Sequence, residues 1–80
     1  MSEDIRLKRL RFRSGHRGCK ETDIVLGGFA EAGLAALSEP MLALYEKLLE
    51  ENDNDIWDWL TGKPAPQEYA ELLARIQSQQ

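Results

Sequence analysis

The chain has a single cysteine, Cys19, and a single histidine, His16. One thiol cannot close an internal disulfide, which suits a reducing compartment. The two residues stand three apart, but no second histidine or cysteine completes a usual zinc set. The same shortage argues against a Cys-His nucleophile, which needs an oriented base in a formed pocket. No apolar run approaches the ~20 residues that span a bilayer, and the N-terminus lacks an apolar secretory core. A cytoplasmic protein without membrane insertion is therefore expected. There is no alternating strand pattern, no internal repeat and no phosphate-cradling glycine loop after a strand. Asp53 and Asp55 lack the spacing and the glycine of a calcium loop.

What is present is a globular composition, 42% hydrophobic and 30% charged over 80 residues. That size allows one compact core and implies a single domain, 1–80. The net charge of −4 hides an asymmetry. Residues 1–23 carry seven basic side chains against four acids, a balance of +3, whereas residues 24–80 carry three against ten, a balance of −7. A basic end on an acidic body can address nucleic acid, an anionic membrane or an acidic protein face. It can equally be a solvated helix face paired with the acidic body.

Leu7 and Leu10 at helical spacing predict a first helix from Ile5 to about Ser14, with Asp4 near its positive end and Arg13 near its negative end. Ser14-Gly15-His16 breaks it. A second helix is predicted from about Lys20 to Leu34 or beyond, carrying Leu26, Phe29, Ala30, Gly33 and Leu37 at a period near 3.6. Gly27-Gly28 costs it roughly 1 kcal/mol per glycine. Close helix–helix approach would explain both, as would simple tolerance. Ser38 is a natural N-cap for a third helix with Met41, Leu44, Tyr45, Leu48 and Leu49 on its apolar face. The acidic turn Glu50–Asn54 leads to a short helix, about Asp55 to Leu60, ending at Gly62. Trp57 and Trp59 lie about 200° apart on it, so one anchors the core and the other an edge. A last helix begins near Pro66 with Tyr69, Leu72, Leu73 and Ile76 inward. The expectation is all-α, a small compact bundle of about five helices.

Between the first two helices runs His16-Arg17-Gly18-Cys19-Lys20-Glu21-Thr22-Asp23. Physically, Gly18 suits a positive φ or a cap. If Gly18 is the N-cap, Glu21 falls at N3, where its carboxylate reaches back to the cap N–H. The pattern Arg17-Gly18-x-x-Glu21-x-Asp23, followed by Leu26-Gly27 and Phe29-Ala30-Glu31, resembles the Arg-Gly-x-x-Glu family of small flavinylation factors. Ile56-Trp57-Asp58-Trp59-Leu60-Thr61-Gly62 resembles that family's aromatic segment. The likeness runs from about Ile5 to Gly62. It departs at Cys19, where many relatives carry methionine.

The resemblance implies an assembly factor that binds the flavoprotein subunit of succinate dehydrogenase, or of the related fumarate reductase, and promotes its covalent FAD attachment. It implicates Arg17, Gly18 and Glu21, with Asp23 beside them, in partner binding. Chemistry by this chain is not implied: a histidine of the flavoprotein forms the bond to the flavin. The helper, a monomer when free, aligns the groups without catalytic residues, metal or a stable FAD site of its own. Alignment can lower a barrier by several kcal/mol. An antitoxin-like or cytoskeleton-related interaction role, attached to some family members, is the alternative. A nucleic-acid module built on the basic first helix is a further one, though the acidic body would repel phosphate and the second helix is poor in basic residues.

Overall fold

A computed structural model describes residues 3–78. Among them are five α-helices and no strand: α1 (Glu3–Gly15), α2 (Lys20–Gly33), α3 (Glu39–Leu48), α4 (Asp53–Leu60) and α5 (Ala70–Ser78). Short 3-10 turns, Leu34–Ala36 and Gln67–Tyr69, follow α2 and precede α5. The all-α expectation holds. The role expected for Asp4 lies outside the described side chains.

One core cluster joins all five helices through Leu7, Leu10, Leu26, Phe29, Leu42, Tyr45, Leu48, Ile56, Tyr69, Leu72 and Ile76. On α3 the apolar stripe is shifted from the expected one. Leu42 is buried, while Met41 and Leu44 are only half-buried. Leu42 and Tyr45 are three apart and Leu48 continues their row, so a single ridge meets the core.

Local chemistry explains the helix ends. The Ser38 side chain accepts the Met41 N–H at 3.4 Å, as an N-cap does. Asn52 caps α4 by accepting from the N–H groups of Asn54 and Asp55, so α4 starts at Asp53, two residues before the predicted Asp55. At its other end Gly62 has φ +107, with Lys63 N–H donating to Asp58 O and Gly62 N–H to Trp59 O. These are the paired bonds of a Schellman stop. Trp59 stacks on Tyr69 at 5.7 Å and packs on the core, whereas Trp57 lines an apolar notch with Val25, Leu60, Thr61 and Gln77.

The two helical glycines differ. A Cβ on Gly27 would lie 3.4 Å from the Gly15 backbone of α1, whereas one on Gly28 would meet nothing. At Gly27 the two helices pass close enough for a Cβ to make ordinary contact, and Gly28 faces open space. At Gly33 a Cβ would lie 2.8 Å from the buried Phe29 ring. Gly28→Ala should raise stability by about 0.5–1 kcal/mol, through helix propensity and a less free unfolded chain. Gly33→Ala should lower it by displacing Phe29. Thermal unfolding checks both, at about 4–8 °C per kcal/mol.

A buried polar pair joins α1 to α3. The Ser14 hydroxyl donates to Leu10 O at 2.7 Å. Its oxygen is therefore left to accept from the Tyr45 hydroxyl at 2.5 Å. Burial pushes the Tyr45 pKa up to about 12 from its ordinary 10. A raised acid pKa favours the neutral form in the folded state. Its contribution is complete below pH 10 and is lost as pH rises from about 10 through 12. The two-unit difference corresponds to about 3 kcal/mol. Chemical denaturation between pH 9 and 12 should show that loss, and Tyr45→Phe should lessen it, leaving the part that comes from Tyr69, whose pKa is also raised.

Candidate partner-docking site

The hinge between α1 and α2 is four residues long, His16 to Cys19, and its shape follows from one glycine and one carboxylate. Gly18 has φ +97, a conformation that L side chains resist. Asp23, one turn into α2, reaches back: Oδ1 accepts the Arg17 N–H at 2.8 Å and Oδ2 the Gly18 N–H at 3.3 Å. Asp23's own N–H donates to Cys19 O at 2.8 Å. The N-cap is Cys19, in extended conformation and without a side-chain cap bond. This corrects the expected Gly18 cap with Glu21 at N3. Glu21 lies at the second helical position and points outward, exposed. The positive φ of Gly18 turns the chain before the helix begins, and Asp23 accepts the Gly18 N–H that Glu21 was expected to serve, together with that of Arg17.

Arg17 faces the other way, into the protein, with its side chain only 12% exposed. Nε donates to Asp53 Oδ1 at 2.5 Å, Nη1 to Leu49 O at 2.7 Å and Nη2 to Glu51 O at 2.7 Å. Leu49 closes α3 and Asp53 opens α4. The guanidinium thus serves carbonyls at and just beyond the negative end of α3 together with a carboxylate in the first turn of α4. Thr22 is buried beside it. Its hydroxyl lies 3.2 Å from Cys19 O and 3.4 Å from Asp53 Oδ1, and can donate to one at a time. The Glu51 carboxylate accepts from Tyr69 Oη at 2.8 Å, and burial and Glu51 hold the Tyr69 pKa above its ordinary value.

The hydrogen bonds bring Arg17, Gly18 and Asp23 together in one unit. Glu21 stands apart from it, accepting a long hydrogen bond from the Cys19 thiol at 3.5 Å. Asp53, Thr22 and Glu51 are members that sequence reasoning missed. Asp53 lies 36 positions from Arg17 and reads locally as part of an acidic turn. An open depression of about 300 Å³ adjoins the hinge, lined by Phe12, Arg13, His16 and Arg17. No group of three or more His, Cys, Asp or Glu side chains is placed to hold a metal ion among the described residues. Nor is any of their helices long and apolar enough to cross a membrane.

The family described as “flavinator of succinate dehydrogenase” matches residues 8–80. The chain belongs to this family. The flavinator relatives include the “FAD assembly factor SdhE” of Acetobacter pasteurianus, 44% identical over 71 residues, covering 88% of this chain and 65% of the relative. The “succinate dehydrogenase assembly factor 2, mitochondrial” of Caenorhabditis briggsae is 41% identical over 76 residues, covering 92% and 62%. That of Dictyostelium discoideum is 38% identical over 72 residues, covering 88% and 51%. The chain thus spans between about half and just under two thirds of the length of these flavinator relatives.

Arg17→Ala would strand the Asp53 carboxylate and two carbonyls. It should cost about 2–4 kcal/mol, somewhat less than breaking a fully buried pair. Arg17→Lys keeps the charge but not the fork and should restore only part of the loss. Urea unfolding of the three proteins measures both steps.

Proposed function

We propose that this chain is an assembly factor that binds the flavoprotein subunit of succinate dehydrogenase and promotes its covalent FAD attachment. The related fumarate reductase flavoprotein is a second client. In this reading residues 1–80 act as one domain, monomeric when free, in the cytoplasm. The FAD stays on the partner, whose histidine makes the bond to the flavin ring. This chain supplies no reacting group and holds no FAD of its own. Membership of the flavinator family supports the reading. So do the names of its relatives, an FAD assembly factor and succinate dehydrogenase assembly factors.

The observation that carries the reading is the hinge itself. Gly18 is exposed, without a Cβ, and a side chain built there would meet nothing. A partner's backbone can therefore approach closely. In our reading Gly18 and the outward Glu21 carboxylate make the contact, while Arg17 and Asp23 hold the hinge in the shape that presents them. A rigid contact of this kind loses little entropy on binding. It favours the client conformation in which histidine and flavin are aligned, which can lower the barrier by several kcal/mol without new chemistry.

The test is co-purification with the flavoprotein subunit, read together with in-gel flavin fluorescence of the captured subunit. Glu21 makes no cap bond, so Glu21→Gln should melt near wild type, losing at most the ~0.3–1 kcal/mol of charge–dipole interaction. If its carboxylate pairs with a cation in a closed interface, binding should weaken by about 2–5 kcal/mol. Gly18→Arg should stay helical, at a cost of about 1–3 kcal/mol for the positive φ, yet capture no client. Undiminished capture and flavin yield by both variants would remove the hinge from the docking surface.

A further inference from the structure

The basic side chains of α1 and the hinge fall into two sets. Arg6 pairs with Glu39 and Glu46, Arg13 with Glu50 and Arg17 with Asp53, so these cations fasten α1 and the hinge to the α3–α4 side of the bundle. Lys8, Arg9 and Arg11 are exposed and form no ion pair among the described residues. Arg9, Phe12 and His16, at i, i+3 and i+7, share one helix stripe that leads directly into the hinge. Phe12 is 64% exposed. Its ring is nonetheless held: it stacks on His16 at 4.1 Å and 9°, and His16 Nδ1 lies 2.7 Å from Phe12 O. A carbonyl only accepts, so Nδ1 carries the proton, and the imidazole is pinned against the phenyl ring. The depression beside this pair reaches Arg17.

We propose that Lys8, Arg9 and Arg11, together with the Phe12–His16 platform, form a second contact strip, continuous with the hinge, that receives an acidic surface of the flavoprotein client. The inference rests on the function proposed above and names the chemistry of the client's face. Three observations select an acidic protein. Among the described residues these cations are unengaged where neighbouring ones are paired, so they complement negative charge without first breaking one of those bonds. An aromatic anchor rimmed by charge is the anatomy of a protein interface, with energy at the ring and steering at the rim. A pre-stacked ring also loses little side-chain freedom on docking. Nucleic acid fits less well, because the exposed Glu21 and Glu31 of α2 and the acidic body would repel a phosphate chain.

Association of the full chain with the flavin-free flavoprotein subunit, measured at 50 and 300 mM salt, tests the strip. The variants are Phe12→Ala and the triple reversal Lys8→Glu, Arg9→Glu, Arg11→Glu, with Glu21→Gln as the hinge comparison. Phe12→Ala should weaken binding tenfold or more at both salt concentrations. The triple reversal should slow association tenfold or more at 50 mM and markedly less at 300 mM. Circular dichroism should be unchanged. If the reversal disturbs folding, the neutral set Lys8→Gln, Arg9→Gln, Arg11→Gln takes its place, with a smaller loss of the same salt dependence. Both strip variants binding like wild type while Glu21→Gln fails would overturn the strip and leave the hinge reading standing. No binding even by the wild-type chain would overturn both. Loss of binding to a short DNA duplex on charge reversal, with flavoprotein binding intact, would assign the strip to nucleic acid and overturn the proposal.

Discussion

The Arg17 guanidinium is the interaction on which the rest of this small protein depends. It enters from the hinge between α1 and α2 and ends among the last carbonyls of α3 and the first carboxylate of α4. Three donors in a rigid fork meet three acceptors that the chain would otherwise leave poorly served at a helix end. The junction of two helices is thereby fastened to the junction of two others. A lysine at this position could supply the charge but not the geometry.

That fastening separates roles that look alike in a motif. Arg17 and Asp23 face inward and hold the hinge, one through its side chain and the other by accepting backbone N–H groups. Gly18 and Glu21 face outward. A pattern of four positions thus contains two that build a surface and two that are that surface. The same division runs along α1. Arg6 and Arg13 close the gap to the acids of the α3 side, while Lys8, Arg9 and Arg11 remain toward solvent. The +3 balance of the N-terminal segment is therefore part structural cement and part open charge.

The helper role proposed for this chain calls for no reactive side chain. Its stacked Phe12–His16 pair and its fastened hinge are ordered before any encounter, and ordering in advance is what lets a small surface bind a larger protein firmly. Cys19 sits within this surface as the N-cap of α2. Among the described residues its one side-chain bond is a weak one to Glu21. The sequence holds no second thiol, and no group of three or more His, Cys, Asp or Glu is placed to hold a metal ion among the described residues.

The sequence by itself determined the helices and where most of them stop. Ser38, Gly62 and the apolar periods act within a turn or two of themselves, so their meaning is local and legible. It also carried the pattern on which the resemblance to the family rests, because Arg17, Gly18, Glu21 and Asp23 stand at short fixed spacing. Only the tertiary structure decided what each of those residues does. Asp23 rather than Glu21 serves the hinge because the positive φ of Gly18 swings two N–H groups toward it. Leu42 joins the core because the α3 ridge that meets the other helices is set by their packing. Arg17 turns inward because Asp53 and two carbonyls, more than thirty residues away in the chain, converge on it. Hydrogen bonds between distant segments follow from how helices pack, and no periodicity or spacing along the chain encodes that by itself.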